Sequence, residues 1–144
     1  MNNDYYKNDR DLILKSLCHI EVILNYTSDI LGYESFIKAP TALDVTLFHL
    51  GQIGELCKRY TDNFKSSHKS IDFRAIAGLR NIVIHDYSGV DYNEIYDIVK
   101  KDLFILKEQY NNILLNEYSM SNVDIENIIN NYIETRIFVI EDGE

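Results

Sequence analysis

The 144-residue sequence has no tryptophan, a single proline, six glycines and two cysteines. So few turn-forming residues argue against a β-sandwich and for long uninterrupted elements. No run approaches about eighteen consecutive apolar residues, so no membrane span is expected. The opening MNNDYYKNDRD lacks the basic-then-apolar pattern of a signal peptide, and a cytoplasmic location is expected. Cys18 and Cys57 sit in apolar periodic segments without CxxC spacing. They read as reduced core thiols, not as a disulfide or a metal site. Basic residues are also scarce: 14 against 23 acids, a net charge of −9. That discourages non-specific binding to nucleic acid or anionic membranes.

What is present is an ordinary globular composition, 46% apolar and 26% charged, of a length that suits one hydrophobic core. A single domain over residues 1–144 is expected, with its core at about 10–116 and an acidic extension at about 119–144. The extension carries six acids against Arg136 alone, a net of −5. It could complete a bundle, form a partner-binding arm, or keep polyanions off that side. Residues 58–85 have the opposite balance. Lys58, Arg59, Lys65, Lys69, Arg74 and Arg80 face only Asp62 and Asp72, a net of +4, which makes this the place to look for an anionic ligand. Basic residues solvating a loop would look the same.

Apolar spacing of three and four predicts helices along most of the chain. The first runs from about Asp9, its N-cap, to Leu31, with Ile13, Leu17, Ile20, Leu24 and Leu31 inward and Gly32 as its stop. Even-numbered apolar positions compete locally, but the length favours a helix. The second covers Ser35 to Tyr60, with Pro40 in its first turn or at a kink. Gly51 and Gly54, a turn apart, suggest that another backbone packs closely there. Residues 61–70 read as the longest internal loop. A third helix spans Ile71 to Tyr87, capped by Ser70 or Asp72. A fourth starts at the capping-box-like Asp91/Glu94 and continues to about Asn116. A shorter fifth begins near Ser121, and the following RIFVI either extends it or forms an extended arm. The predicted fold is all-α, an antiparallel up-and-down bundle of four main helices plus a shorter C-terminal one.

The four histidines show no metal-ligand spacing, and there is no glycine-rich phosphate loop, so neither a metal nor a cofactor is expected. His19 and His49 lie within helices and read as packing or rim residues. The stretch from Arg80 to Tyr87 differs, because it gathers Arg80, Asn81, His85, Asp86 and Tyr87 at the end of an Ile/Val-rich helix. A histidine titrating near neutrality can move the proton of a 2′-hydroxyl or of a leaving 5′-oxygen, and a guanidinium can hold the phosphate. Asn81 could orient the imidazole. On an ideal helix Arg80 and His85 lie about 140° apart. Convergence on one phosphate then needs arginine's reach, an unwound last turn, or a site shared with a second copy. Equally, Arg80 could pair with a carboxylate while His85 and Asp86 close the helix C-terminus.

Arg80-Asn81-x-x-x-His85-Asp86-Tyr87 resembles the R-x4-H-x-Y signature of HEPN-superfamily ribonuclease toxins, and more narrowly the HepT family of HepT–MntA toxin–antitoxin pairs. Phe48-His49-Leu50-Gly51-Gln52-Ile53-Gly54-Glu55 is similar to that family's second-helix segment ending in Ile-Gly-Glu. Ile71 to Asn81 resembles its approach to the Arg-Asn pair, with Asp72-Phe73 in place of Pro-Trp. Val90-Asp91 and Ile95-Tyr96 resemble a later pair of motifs in which tryptophan is common at the last position. The likeness covers roughly residues 10–107. It implies a homodimer, metal-independent RNA endonuclease activity on tRNA or mRNA, catalysis by Arg80 and His85, and support from Asn81 and Asp86. It also implies an MntA-like nucleotidyltransferase antitoxin that transfers AMP to Tyr87. A HEPN-like nucleotide-binding or scaffold subunit, catalytically silent, is the alternative; net charge and the awkward Arg80–His85 spacing motivate it.

Overall fold

A computed structural model describes the backbone of residues 3–84 and 89–140 and the side chains of residues 8–81 and 89–140. Among these the chain forms α1 (Asn3–Thr27), α2 (Tyr33–Ile37), α3 (Pro40–Cys57), α4 (Asp62–Ser67) and α5 (Phe73–Ile84). It continues through α6 (Tyr92–Asp97), a π turn (Ile98–Asp102), α7 (Leu103–Asn116) and α8 (Asn122–Thr135). The described residues contain no strand, and the all-α helical bundle expected from the sequence is what forms.

α1 is the central helix. Leu12, Ile13, Leu14, Leu17, Ile20, Val22 and Ile23 are all buried, because α3, α7 and α8 pack against it from different sides. A helix with several neighbours is apolar around most of its circumference. This is why even-numbered positions competed with helical spacing. α5 packs chiefly on α3.

Several boundaries differ from the sequence expectation. Asp9 is not an N-cap: nothing in residues 3–8 breaks a helix, so α1 begins earlier. The buried Asp9 carboxylate instead accepts hydrogen bonds from the Thr61 backbone N–H (3.0 Å) and hydroxyl (2.7 Å). Thr61 Oγ1 in turn caps α4 by accepting from the Phe64 N–H, and Phe64 stacks on Tyr60. The expected loop at 61–70 therefore contains a short helix pinned by an aromatic anchor. Leu31 is not in the core but 81% exposed, because α1 ends at Thr27. Gly32, at φ 91°, starts α2 and does not stop α1. The C-terminus of α1 is closed by Lys100, whose ammonium donates to the Thr27 carbonyl at 2.9 Å, a favourable place for a cation.

Other expectations hold. Pro40 occupies the first turn of α3, Asp72 caps α5 by accepting from the Ala75 N–H, and Asp91 and Ser121 cap α6 and α8. Phe73 joins Tyr60 and Phe64 in an aromatic cluster, and Tyr96 packs against Phe36 while its hydroxyl accepts from the Gly32 N–H. The fourth predicted helix is interrupted by the π turn, which puts Ile98 and Val99 into the core and directs Lys100 to α1. α8 buries Ile125, Ile129 and Tyr132 in the same core as α1, so this part of the acidic extension completes the bundle. Arg136 ends α8 in the left-handed conformation (φ 63°). Residues 137–140 follow as a non-helical arm whose Phe138 stacks on Tyr132 at 4.3 Å.

Candidate active site

The segment Ile53-Gly54-Glu55 of α3 determines where Arg80 sits. Ile53 is fully buried and fixes the rotation of α3 in the core. Gly54 lets α5 approach: a Cβ there would lie 2.7 Å from the Arg80 backbone nitrogen and 3.0 Å from the Ile76 carbonyl oxygen. No side chain fits that gap without a backbone shift, which is the close approach the glycine spacing predicted. One residue further, Glu55 Oε2 accepts from Arg80 Nε at 2.8 Å.

Arg80 and Glu55 are 43% and 49% exposed. A pair so accessible to water is screened and contributes at most about 1 kcal/mol to stability. Its main consequence is orientation. A guanidinium anchored through Nε presents its two terminal nitrogens as a planar fork, the geometry that matches two phosphate oxygens. Arg80 thus pairs with a carboxylate, as one reading of the sequence had it, and the pairing leaves it at the surface. Asn81, next along α5, is exposed. The expectations for His85, Asp86 and Tyr87 lie outside the described residues. Lys58, Arg59, Lys69 and Arg74 of the basic segment are exposed around α4 and the start of α5. Glu55 had no role assigned from sequence; its only signal was its place directly after Gly54.

The remaining histidines do different work. His19 of α1 and His49 of α3 are buried and face each other, Nδ1 to Nδ1, at 2.8 Å. One ring must donate and the other accept, so both are packing residues held neutral. Burial pushes His19 down to about 3, helped by His49 and Arg136, and His49 to about 4, helped by Arg136. The Tyr132 hydroxyl approaches His19 Nδ1 at 3.4 Å. His68 bridges the Phe64 carbonyl and the Glu117 carboxylate, tying α4 to the end of α7. Burial raises the Cys18 thiol to about 12 and Cys57 to about 11, and both are free. Among the described residues no group of three or more His, Cys, Asp or Glu could hold a metal ion, and no helix is long and apolar enough to cross a membrane.

Comparison with known proteins places this geometry in context. A family profile described as "Ribonuclease HepT-like" matches residues 16–113. A protein of Methanocaldococcus jannaschii, provisionally named an RNase, is 30% identical over 98 residues, covering 68% of this chain and 84% of its own. One from Caldanaerobacter subterraneus, named in the same provisional way, is 32% identical over 87 residues, 60% of this chain and 78% of its own. A protein of Thermococcus cleftensis, provisionally named ribonuclease HepT, is 33% identical over 91 residues, 63% of this chain and 82% of its own. No solved structure matches the chain. The matched span runs from the middle of α1 into α7 and contains Gly54, Glu55 and Arg80 together; the chain belongs to the ribonuclease HepT-like family of the HEPN superfamily.

Proposed function

We propose that this protein is a metal-independent RNA endonuclease in which Arg80 and His85 act on the scissile phosphate. The observation that carries this reading is the Arg80 fork, anchored by Glu55 at the protein surface, within a span matched to a ribonuclease family. The chemistry requires few groups. The 2′-hydroxyl loses its proton to a base as its oxygen attacks the adjacent phosphorus. The bond from phosphorus to the 5′-oxygen breaks, and that oxygen takes a proton from an acid. The products are a 2′,3′-cyclic phosphate and a 5′-hydroxyl. An imidazole at His85 suits one of these transfers, and the Arg80 guanidinium neutralises charge that builds on the phosphate oxygens. Asn81 and Asp86 support the pair. A homodimer supplies a second copy of the motif and a route past the 140° separation expected on an ideal helix.

In the same reading the protein is the toxin of a type VII toxin–antitoxin pair acting on tRNA or mRNA. A MntA-like nucleotidyltransferase joins the Tyr87 phenol oxygen to the α-phosphorus of ATP and releases pyrophosphate. The added phosphate brings negative charge and bulk next to a phosphate-binding cleft, which blocks RNA.

The test is fragment-end analysis of total tRNA and mRNA incubated in EDTA with protein whose mass shows it unmodified. Wild type is expected to leave 2′,3′-cyclic ends, His85→Ala none, and Tyr87→Phe is expected to cut yet resist the nucleotidyltransferase. Inert, folded, unmodified wild type would move the reading to a silent scaffold subunit. Equal cleavage by His85→Ala would remove His85 from the mechanism.

A further inference from the structure

A concavity flanks α5, the helix that also carries Arg80. It is a groove of about 910 Å³ between α5 and the α6–π turn–α7 segment. Its floor is apolar, with Ile76 and Leu79 on one wall and Ile98, Leu103 and Leu106 on the other. Ile105, 49% exposed, extends the apolar surface outward along α7. The rim has one sign of charge: Asp72, Asp91, Glu94, Asp97 and Asp102 line it, and among the described residues no Lys, Arg or His does. Asp72 and Asp91 also cap helices. Among the described residues Glu94, Asp97 and Asp102 meet no ion-pair partner.

We propose that this groove docks an amphipathic helix of a partner protein, with an apolar stripe flanked by Lys and Arg. Charge complementarity selects that occupant. Five carboxylates focused over a low-dielectric floor repel RNA and nucleotides and attract cations. A second copy docking through this same groove would set its carboxylates against their own copies, which is repulsive at this face. The carboxylates do not converge as metal ligands. Lining residues recur on one face from Glu94 to Gln109, about 22 Å of helix, which matches four turns of a partner helix. α5 separates two electrostatic faces. Asp72, Ala75, Ile76, Gly78 and Leu79 line the groove from α5, while Arg74, Arg80 and Asn81 fall outside that arc, Asn81 roughly opposite it on the helical wheel. A partner in the groove therefore approaches from a different side than an anion seeking Asn81. The inference does not depend on the chain cutting RNA.

Selection from a random library of displayed 16-residue peptides against the full chain tests it. Enriched peptides should combine apolar residues at i, i+3 or i+4, and i+7 with a surplus of Lys and Arg. Their affinity should fall at least tenfold on Asp97→Lys/Asp102→Lys, at exposed positions whose change leaves helicity and Tm in place. The control Glu126→Lys/Glu134→Lys, on exposed positions of α8, should change affinity less than twofold. Four results would each overturn the proposal. They are no enrichment, enrichment of acidic or neutral peptides, equal losses in both double variants (general charge attraction), and Ile105→Asp lowering the chain's mass in light scattering (a second copy in the groove).

Discussion

At the scale of single residues, the decisive positions are those where one atom more or less changes a crossing. Gly54 is the clearest. Its replacement by alanine forces α3 and α5 apart or shifts Arg80, at a cost of about 1–3 kcal/mol, typical of overpacking. Chemical denaturation should show that loss, and a Gly54→Ala variant as stable as wild type would mean the crossing relaxes freely. Glu55 separates orientation from stability. Because the pair with Arg80 is half exposed, Glu55→Gln should leave the unfolding midpoint nearly unchanged. Its effect should appear in RNA cleavage, where a mispositioned guanidinium lowers the rate. The two cysteines give a third check. Burial holds their thiols at about 12 and 11, far from the reactive thiolate, so alkylation at neutral pH should occur only on unfolding. Local motifs were readable at this scale: Asp72, Asp91 and Ser121 cap helices because the signal and its partner lie within three residues. Asp9 was misread because its partner, Thr61, is 52 residues away and leaves no local trace.

At the scale of elements, the contact between α1, α3 and α8 has an embedded dependence on pH. His19, His49 and Tyr132 meet there, with Phe138 stacked on Tyr132 and Arg136 close enough to oppose a further positive charge. Folding lowers both imidazoles from the ordinary 6.5 to about 3 and about 4. The unfolded chain therefore binds more protons than the folded one below pH 6.5. Stability is complete above that value and declines as pH falls towards the folded values. At pH 5 the loss is about 2 kcal/mol for each imidazole that must stay neutral. Denaturation midpoints at pH 7.5 and 5.0 should differ accordingly in wild type and much less in His19→Leu/His49→Leu. Equal slopes would assign the acid sensitivity elsewhere. The long helices were legible because their apolar spacing survives any packing arrangement. The interruptions were not. α4 exists because Phe64 finds Tyr60 and Thr61 finds Asp9, and the π turn because Lys100 must reach Thr27 while Ile98 and Val99 stay buried. Each depends on a neighbour distant in sequence.

At the scale of the whole molecule, a chain of net −9 that belongs to a ribonuclease family has to separate its charges. Exposed Lys58, Arg59, Lys69 and Arg74 lie around α4 and the start of α5, whereas carboxylates ring the groove between α5 and α7. The sequence showed this division as a +4 stretch and an acidic end. It did not show that the carboxylates of residues 91–102 share a groove with Asp72, since only the fold brings α5 and α6 face to face. Likewise Arg80 and Asn81 could be picked out from their motif, while the carboxylate that orients Arg80 lies 25 positions earlier in α3. The central claim is that Arg80 holds the phosphate of an RNA being cut. The direct measurement is the single-turnover rate of RNA cleavage by purified, unmodified wild type and by Arg80→Ala, with folding of both confirmed by their far-UV spectra and melting temperatures. A loss of about 100-fold or more in Arg80→Ala, with the fold intact, is the predicted result. Equal rates in the two proteins would contradict it.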